Sequence, residues 1–158
     1  MDIADLITPQ AVIANLKVGS KKQALQELAR RAADLIGEQV AGGDREIFDV
    51  LLERERLGTT GVGAGIAIPH GKLAKLSGLC GLFAKLDRPI DFEAIDEQPV
   101  DLIFLLLAPE AAGADHLKAL ARVSRLLRDR AMCEKLRGAD TGDALYAVLT
   151  ASSQGAAA

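Results

Sequence analysis

The sequence predicts an α/β fold of three layers, with helices flanking a cluster of short strands. Three observations predict it. Apolar residues recur at helical spacing near both ends of the chain, and short strand-like runs lie between them. The 158 residues match the size of one ordinary domain, and 49% of them are hydrophobic, enough for a real core. The reading is one domain over residues 1–150, followed by a disordered tail at 151–158, whose last residues are SSQGAAA.

The elements follow in order. Ala11 to Leu16 suits a short strand. Ser20 to Ile36 is the clearest helix: Leu25, Leu28, Ala29, Ala32, Leu35 and Ile36 share a face. Ser20 and Gln23 form a capping box at its start, and Gly37 supplies the stop. Asp44 is the expected cap of a helix over 45–57, with the stripe Ile47, Val50 and Leu51 leading to Arg54. Residues 58–65 read GTTGVGAG, which suits an extended segment that something approaches closely. A short strand-like run ends at Pro69-His70-Gly71. Leu79 to Leu86 and Val100 to Ala108 read as strands, the second buried on both faces because it is almost continuously apolar. Asp87 to Pro99 suggests turns around Ile90 to Phe92. Asp115 is the expected cap of a helix over 116–130, with Leu117, Leu120, Ala121, Val123 and Leu127 facing inward. Two shorter helices follow at Met132 to Arg137 and Asp143 to Leu149.

Composition removes several function classes. Nineteen Lys and Arg stand against 22 Asp and Glu, so the basic face of a nucleic-acid binder is lacking. Aromatics are 3%, too few for base-stacking platforms. The longest apolar run, Leu102 to Ala108, is far short of the about 20 residues a membrane span needs. The acidic N-terminus does not suit a signal peptide, so a soluble cytoplasmic protein is expected. Cys80 and Cys133, each among apolar residues, read as reduced core thiols. Two histidines are too few for histidine-based metal chemistry without carboxylates.

The familiar glycine motifs fail. Gly71-Lys72 is followed by Leu73, and the position five before Gly71 is Ile66, so there is no Walker A loop. The dinucleotide fingerprint would need glycine at 66 or 68, and both are Ile. Neither a nucleophile elbow nor a zinc-protease motif occurs. No cofactor is implied.

Three residues survive: His70, Arg54 and His116. Singly, each has a bland reading as a turn residue, a snorkelling arginine and an incidental histidine. Together they suit a transferable phosphoryl group. His70 lies beside Gly71, where a partner can approach. Arg54 leaves its helix just before the loop leading to His70, and its planar fork can hold two phosphate oxygens. His116 sits at a helix start, where free amides favour anions. It shares a face with Leu120, Val123 and Leu127, which turns it inward.

Residues 58–72, GTTGVGAGIAIPHGK, with Glu55 before them, resemble the phosphorylation-site signature of phosphotransferase-system enzyme IIA domains of the fructose/mannitol class. The segment IDEQPVDLIFLLLAP and the helix from His116 to Leu120 resemble later blocks of the same family, so the resemblance spans about residues 5–150. Ser20-Lys21-Lys22-Gln23-Ala24-Leu25 and the PHGKL block are most similar to the nitrogen-regulatory branch. The resemblance implies a mixed sheet with helices on both faces. It also implies that His70 accepts a phosphoryl group on Nε2 from an HPr-like carrier of the NPr type, fed by enzyme I and phosphoenolpyruvate. Its other ring nitrogen would be held by a backbone carbonyl. Arg54 corresponds to the phosphate-binding arginine and His116 to the second active-site histidine. No metal is implied. Ala64 departs from the pattern, because relatives often carry Asn between the two glycines.

The leading expectation is a regulatory protein whose phosphorylation state governs binding to targets such as potassium-transport regulators or sensor kinases. Two alternatives stand beside it: a transport IIA passing phosphate to a separate IIB, and an interaction module in which His70 is structural.

Overall fold

A computed structural model describes residues 1–156, and within them a mixed six-stranded sheet packed between two layers of helices. The strands are β1 (Val12–Leu16), β2 (Gly61–Gly63), β3 (Ile66–Ala67), β4 (His70–Leu73), β5 (Cys80–Ile90) and β6 (Val100–Pro109). The helices are α1 (Lys21–Ile36), α2 (Gly43–Arg56), α3 (Ala114–Arg128), α4 (Arg130–Gly138) and α5 (Gly142–Ala156). The three-layer α/β class is as the sequence predicts.

β6 organises the sheet. It pairs antiparallel with β5 on one side and parallel with both β3 and β4 on the other. Its two faces feed two separate cores, which explains its unbroken apolar run. Ile103, Leu105 and Leu107 pack under α1 and α2. Leu102, Phe104 and Leu106 pack under α3, α4 and α5. Phe104 meets Phe83 of β5 edge-on, with ring centroids 6.4 Å apart.

β3 and β4 are two pieces of one line along β6, paired to Leu102–Ile103 and to Leu106–Pro109. Pro69 sits between them. It has no N–H to give to a ladder, so the pairing breaks there and resumes at His70. The strand expected to end at Pro69-His70-Gly71 therefore continues to Leu73.

Several local expectations are corrected. Asp44 and Asp115 are not caps: α2 starts at Gly43 and α3 at Ala114, with both acids inside the first turn, where the helix dipole favours them. Leu117 and Ala121 face outward on α3; its inner face is His116, Ala119, Val123, Leu126 and Leu127. α3 stops at Arg128 because Asp129 turns extended and its carboxylate caps α4 through the Met132 N–H. β5 runs through Asp87–Pro89, read as turn, because Pro89 falls in an irregular stretch of the β5–β6 ladder. The segment 58–65 is extended only in part. It folds back at Ala64–Gly65 into the β2–β3 hairpin. α5 is helical to Ala156, overlapping the residues where a disordered tail is expected; residues 157 and 158 lie outside the described residues.

The hairpin turn places Ala64 at φ 57° and Gly65 at φ 82°. Glycine adopts this left-handed region freely, whereas alanine pays roughly 1–2 kcal/mol there and asparagine less. The Asn that the family resemblance leads one to expect at this position would have a backbone reason. Ala64→Asn is expected to stabilise the fold by about 0.5–1 kcal/mol, read as a higher urea midpoint at unchanged slope.

Candidate functional site

The site lies where β4 begins, between the C-terminal end of α2 and the N-terminal end of α3. Gly71 lets α2 come close: a Cβ there would sit 2.4 Å from Val50 Cγ1. One turn further along α2, Arg54 reaches His70. Arg54 Nε donates to His70 Nε2 at 3.2 Å, and its Nη1 donates to the Gly58 carbonyl at 2.8 Å. The sequence-predicted pair is therefore in direct contact.

His70 Nδ1 lies 2.9 Å from the Ile68 carbonyl oxygen. That oxygen can only accept, so Nδ1 carries the proton and Nε2 the lone pair. Arg54, which can only donate, rests on Nε2 and agrees with the same tautomer. Burial pushes the His70 imidazole below its ordinary value of 6.5. The Ile68 hydrogen bond opposes this, and the Arg54 charge adds to it. His70 is thus a neutral, half-buried imidazole at neutral pH.

His116 is the third residue of α3, on its inner face, and only 6% exposed. Its ring stands 5.7 Å from that of His70, tilted by 50°. Burial lowers its protonation too, helped by His70 and Lys72. Among the described residues, its Nδ1 is the one buried side-chain nitrogen or oxygen without a hydrogen-bond partner. Native interiors rarely leave such a group unmatched, so an orphan beside the His70 ring is a place for an incoming polar group.

A second network escapes sequence reading. Glu55 is buried on the α2 stripe, one turn beyond Leu51. Its carboxylate pairs with Lys21 Nζ at 2.9 Å, accepts the Thr60 N–H at 3.0 Å and accepts the Thr60 hydroxyl. Lys21 Nζ also lies 4.9 Å from the centre of the Phe92 ring. This network pins the loop after α2, whose Gly58 carbonyl holds Arg54. The sequence marks Glu55 only as part of a signature. Its available signal was a carboxylate in register with Ile47 and Leu51, which burial obliges to find partners. Ala64 stands apart from the histidines. Its N–H donates to Asp96 Oδ2 at 2.9 Å, and its carbonyl accepts from Arg137 at 2.9 Å.

Chemically, the site offers a neutral imidazole whose Nε2 lone pair is capped by the Arg54 guanidinium, with a second imidazole alongside. That equipment suits transfer of an electrophilic, anionic group to nitrogen. The comparisons with known proteins point the same way. The family described as phosphoenolpyruvate-dependent sugar phosphotransferase system, EIIA 2, matches residues 5–152. The chain belongs to that family. It is 63% identical over 149 residues to a nitrogen regulatory protein of Bradyrhizobium diazoefficiens, covering 94% of this chain and 95% of that one. It is 38% identical to the fructose-specific EIIA component of Haloferax volcanii, covering 94% and 97%. The crystal structure of the nitrogen regulatory protein IIA-Ntr from Neisseria meningitidis superposes with a TM-score of 0.86 at 32% identity, covering 94% and 99%.

Two outcomes follow. In a proton NMR titration both imidazoles should gain their protons below pH 6.5. Because the unfolded chain then binds those protons first, their contribution to stability is present above about pH 6.5 and falls as the pH drops through the folded values. Glu55→Ala should leave Lys21 and Thr60 unmatched and cost about 2–4 kcal/mol in urea unfolding.

Proposed function

We propose that the protein is a regulatory IIA component that carries a phosphoryl group on His70 Nε2. One observation supports this most directly: a neutral His70 with its lone pair on Nε2, Arg54 resting on it, and the unmatched His116 Nδ1 beside it.

The proposed step runs as follows. A carrier protein of the HPr type presents a phosphohistidine. The Nε2 lone pair of His70 attacks the phosphorus in line, the bond from phosphorus to the donor nitrogen breaks, and the donor imidazole leaves with that electron pair. Arg54 swings off Nε2, and its fork takes the phosphoryl oxygens. His116 Nδ1, as N–H, donates to the same group. The His70 ring gains positive charge, which strengthens its Nδ1–H bond to the Ile68 carbonyl. Such transfer is mostly positioning and charge stabilisation, and it requires no metal ligated by this chain.

Leu57 and Leu117 supply the docking contacts. Leu57, 85% exposed, follows the helix that carries Arg54, and Leu117, 67% exposed, follows His116. Phosphorylation adds close to two negative charges between them, enough to change which partner fits. Upstream, enzyme I would load the carrier from phosphoenolpyruvate in the cytoplasm. Downstream, the strong similarity to a nitrogen regulatory protein favours regulatory targets, such as potassium-transport regulators or sensor kinases. The fructose-specific relative keeps a second reading open, delivery to a separate IIB.

The test is labelling with phosphoenolpyruvate, enzyme I and the HPr-like carrier. Wild type should take up one acid-labile, base-stable phosphate, and His70→Ala none. Arg54→Ala should slow labelling about 10²-fold or more with its thermal transition preserved. Equal labelling of His70→Ala would end the proposal, and unfolding of Arg54→Ala would make its role structural.

A further inference from the structure

A concavity that neither histidine lines runs along α3. It encloses about 410 Å³ between the β2–β3 hairpin, the C-terminal half of α3 and the start of α4. Ile66, Ile68, Leu127 and Cys133 make its floor. This volume is within the range of about 300–1,000 Å³ typical of small-molecule sites, as is an apolar floor with a few polar groups.

Its rim is charged in an uneven way. Arg137 is already engaged: Nε and Nη2 donate to the Asp101 carboxylate at 2.8 and 2.9 Å, and Nη2 also donates to the Ala64 carbonyl. Asp96 accepts the N–H groups of Ala64 and Gln98, which hold its carboxyl below the ordinary range and keep it anionic. Arg128 and Arg130 differ. Both line the cavity, and among the described residues neither has an acidic partner. The acid between them in sequence, Asp129, is occupied in capping α4. The wall holds three guanidiniums and one carboxylate, Asp96; with Asp101, outside the wall, matched to Arg137, one positive charge is left over.

From this charge balance and the apolar floor, we infer that the cavity binds a small organic monoanion: a carboxylate with an apolar body, its head between Arg128 and Arg130 and its body on Ile66, Ile68 and Leu127. The same site is wired to the histidine. Ile68 lines the cavity, and its carbonyl accepts from His70 Nδ1. A ligand pressing on Ile68 bears on the bond that sets the His70 tautomer. The cavity is then an effector site.

The experiment is a titration of the full, unphosphorylated chain with hexanoate, followed by amide and imidazole NMR signals. Neither signal requires His70 to be phosphorylated, so failure here and failure of the phosphoryl-carrier reading are separate results. Saturable shifts are expected at residues 124–137 and in the β2–β3 hairpin, accompanied by movement of the His70 ring signals. The neutral counterpart, hexanamide, should bind about tenfold more weakly or not at all. The double variant Arg128→Gln/Arg130→Gln, altered at two exposed positions, should keep the wild-type spectrum elsewhere and also lose about tenfold. No saturation at millimolar hexanoate, equal binding of hexanamide, or equal binding by the double variant would each overturn the site. Binding that leaves the His70 signals unmoved would overturn the effector role.

Discussion

The hydrogen bond from His70 Nδ1–H to the Ile68 carbonyl is the constraint on which the site depends. A free neutral histidine exchanges its proton between two nitrogens and mostly carries it on Nε2, so a lone pair on Nε2 needs a partner that holds the proton on Nδ1. The carbonyl decides the matter, because it can only accept. The lone pair is then held on Nε2, where it accepts from Arg54. The fold provides that carbonyl by interrupting a strand. Pro69 breaks the line of β3 and β4, and β6 resumes its pairing on either side. The break leaves both Ile68 and His70 anchored within a turn of each other, which is far stiffer than a loop.

The second requirement is a cation at the right place without an anion to neutralise it. α2 meets β4 closely at Gly71, and this brings Arg54 onto the ring. The carboxylate one residue on, Glu55, could have captured Arg54. It points the other way, into the core, where Lys21 and Thr60 satisfy it. That network costs desolvation and is not a strong source of net stability. Its consequence is segregation: the negative charge is buried and matched, and among the described residues Arg54 has no carboxylate partner, only His70 Nε2 and the Gly58 carbonyl. With both imidazoles neutral, the positive charges felt at the two rings are Arg54 at His70 and Lys72 at His116.

Much of this was legible in the sequence, and the misses share a cause. His70, Arg54 and His116 stood out because polar residues interrupt apolar periodicity there, and the structure brings all three together. The sheet class and the main helices followed from the same periodicity. Helix starts were misjudged at Asp44 and Asp115, since an acid stabilises a first turn as well as a cap, and only backbone geometry tells the two apart. Leu117 was placed inside because it is apolar; on α3 the inward positions are set by His116, Ala119 and Val123, and Leu117 falls outside that stripe. Strand ends were misplaced near Pro69-His70-Gly71 and across Asp87–Pro89, where β6 carries the pairing past a residue with no N–H to donate. Glu55 went without a role because its partners, Lys21 and Thr60, are joined to it by the fold of three separate elements.

The central claim is that one nitrogen of one ring is the acceptor, chosen by a backbone carbonyl. A phosphorus–nitrogen NMR correlation on the phosphorylated, nitrogen-15 histidine-labelled chain tests it most directly. The account predicts a single phosphorus signal coupled to Nε2 of His70, with Nδ1 still bearing its proton toward Ile68. Phosphorus coupled to Nδ1 of His70, or to either nitrogen of His116, would contradict it.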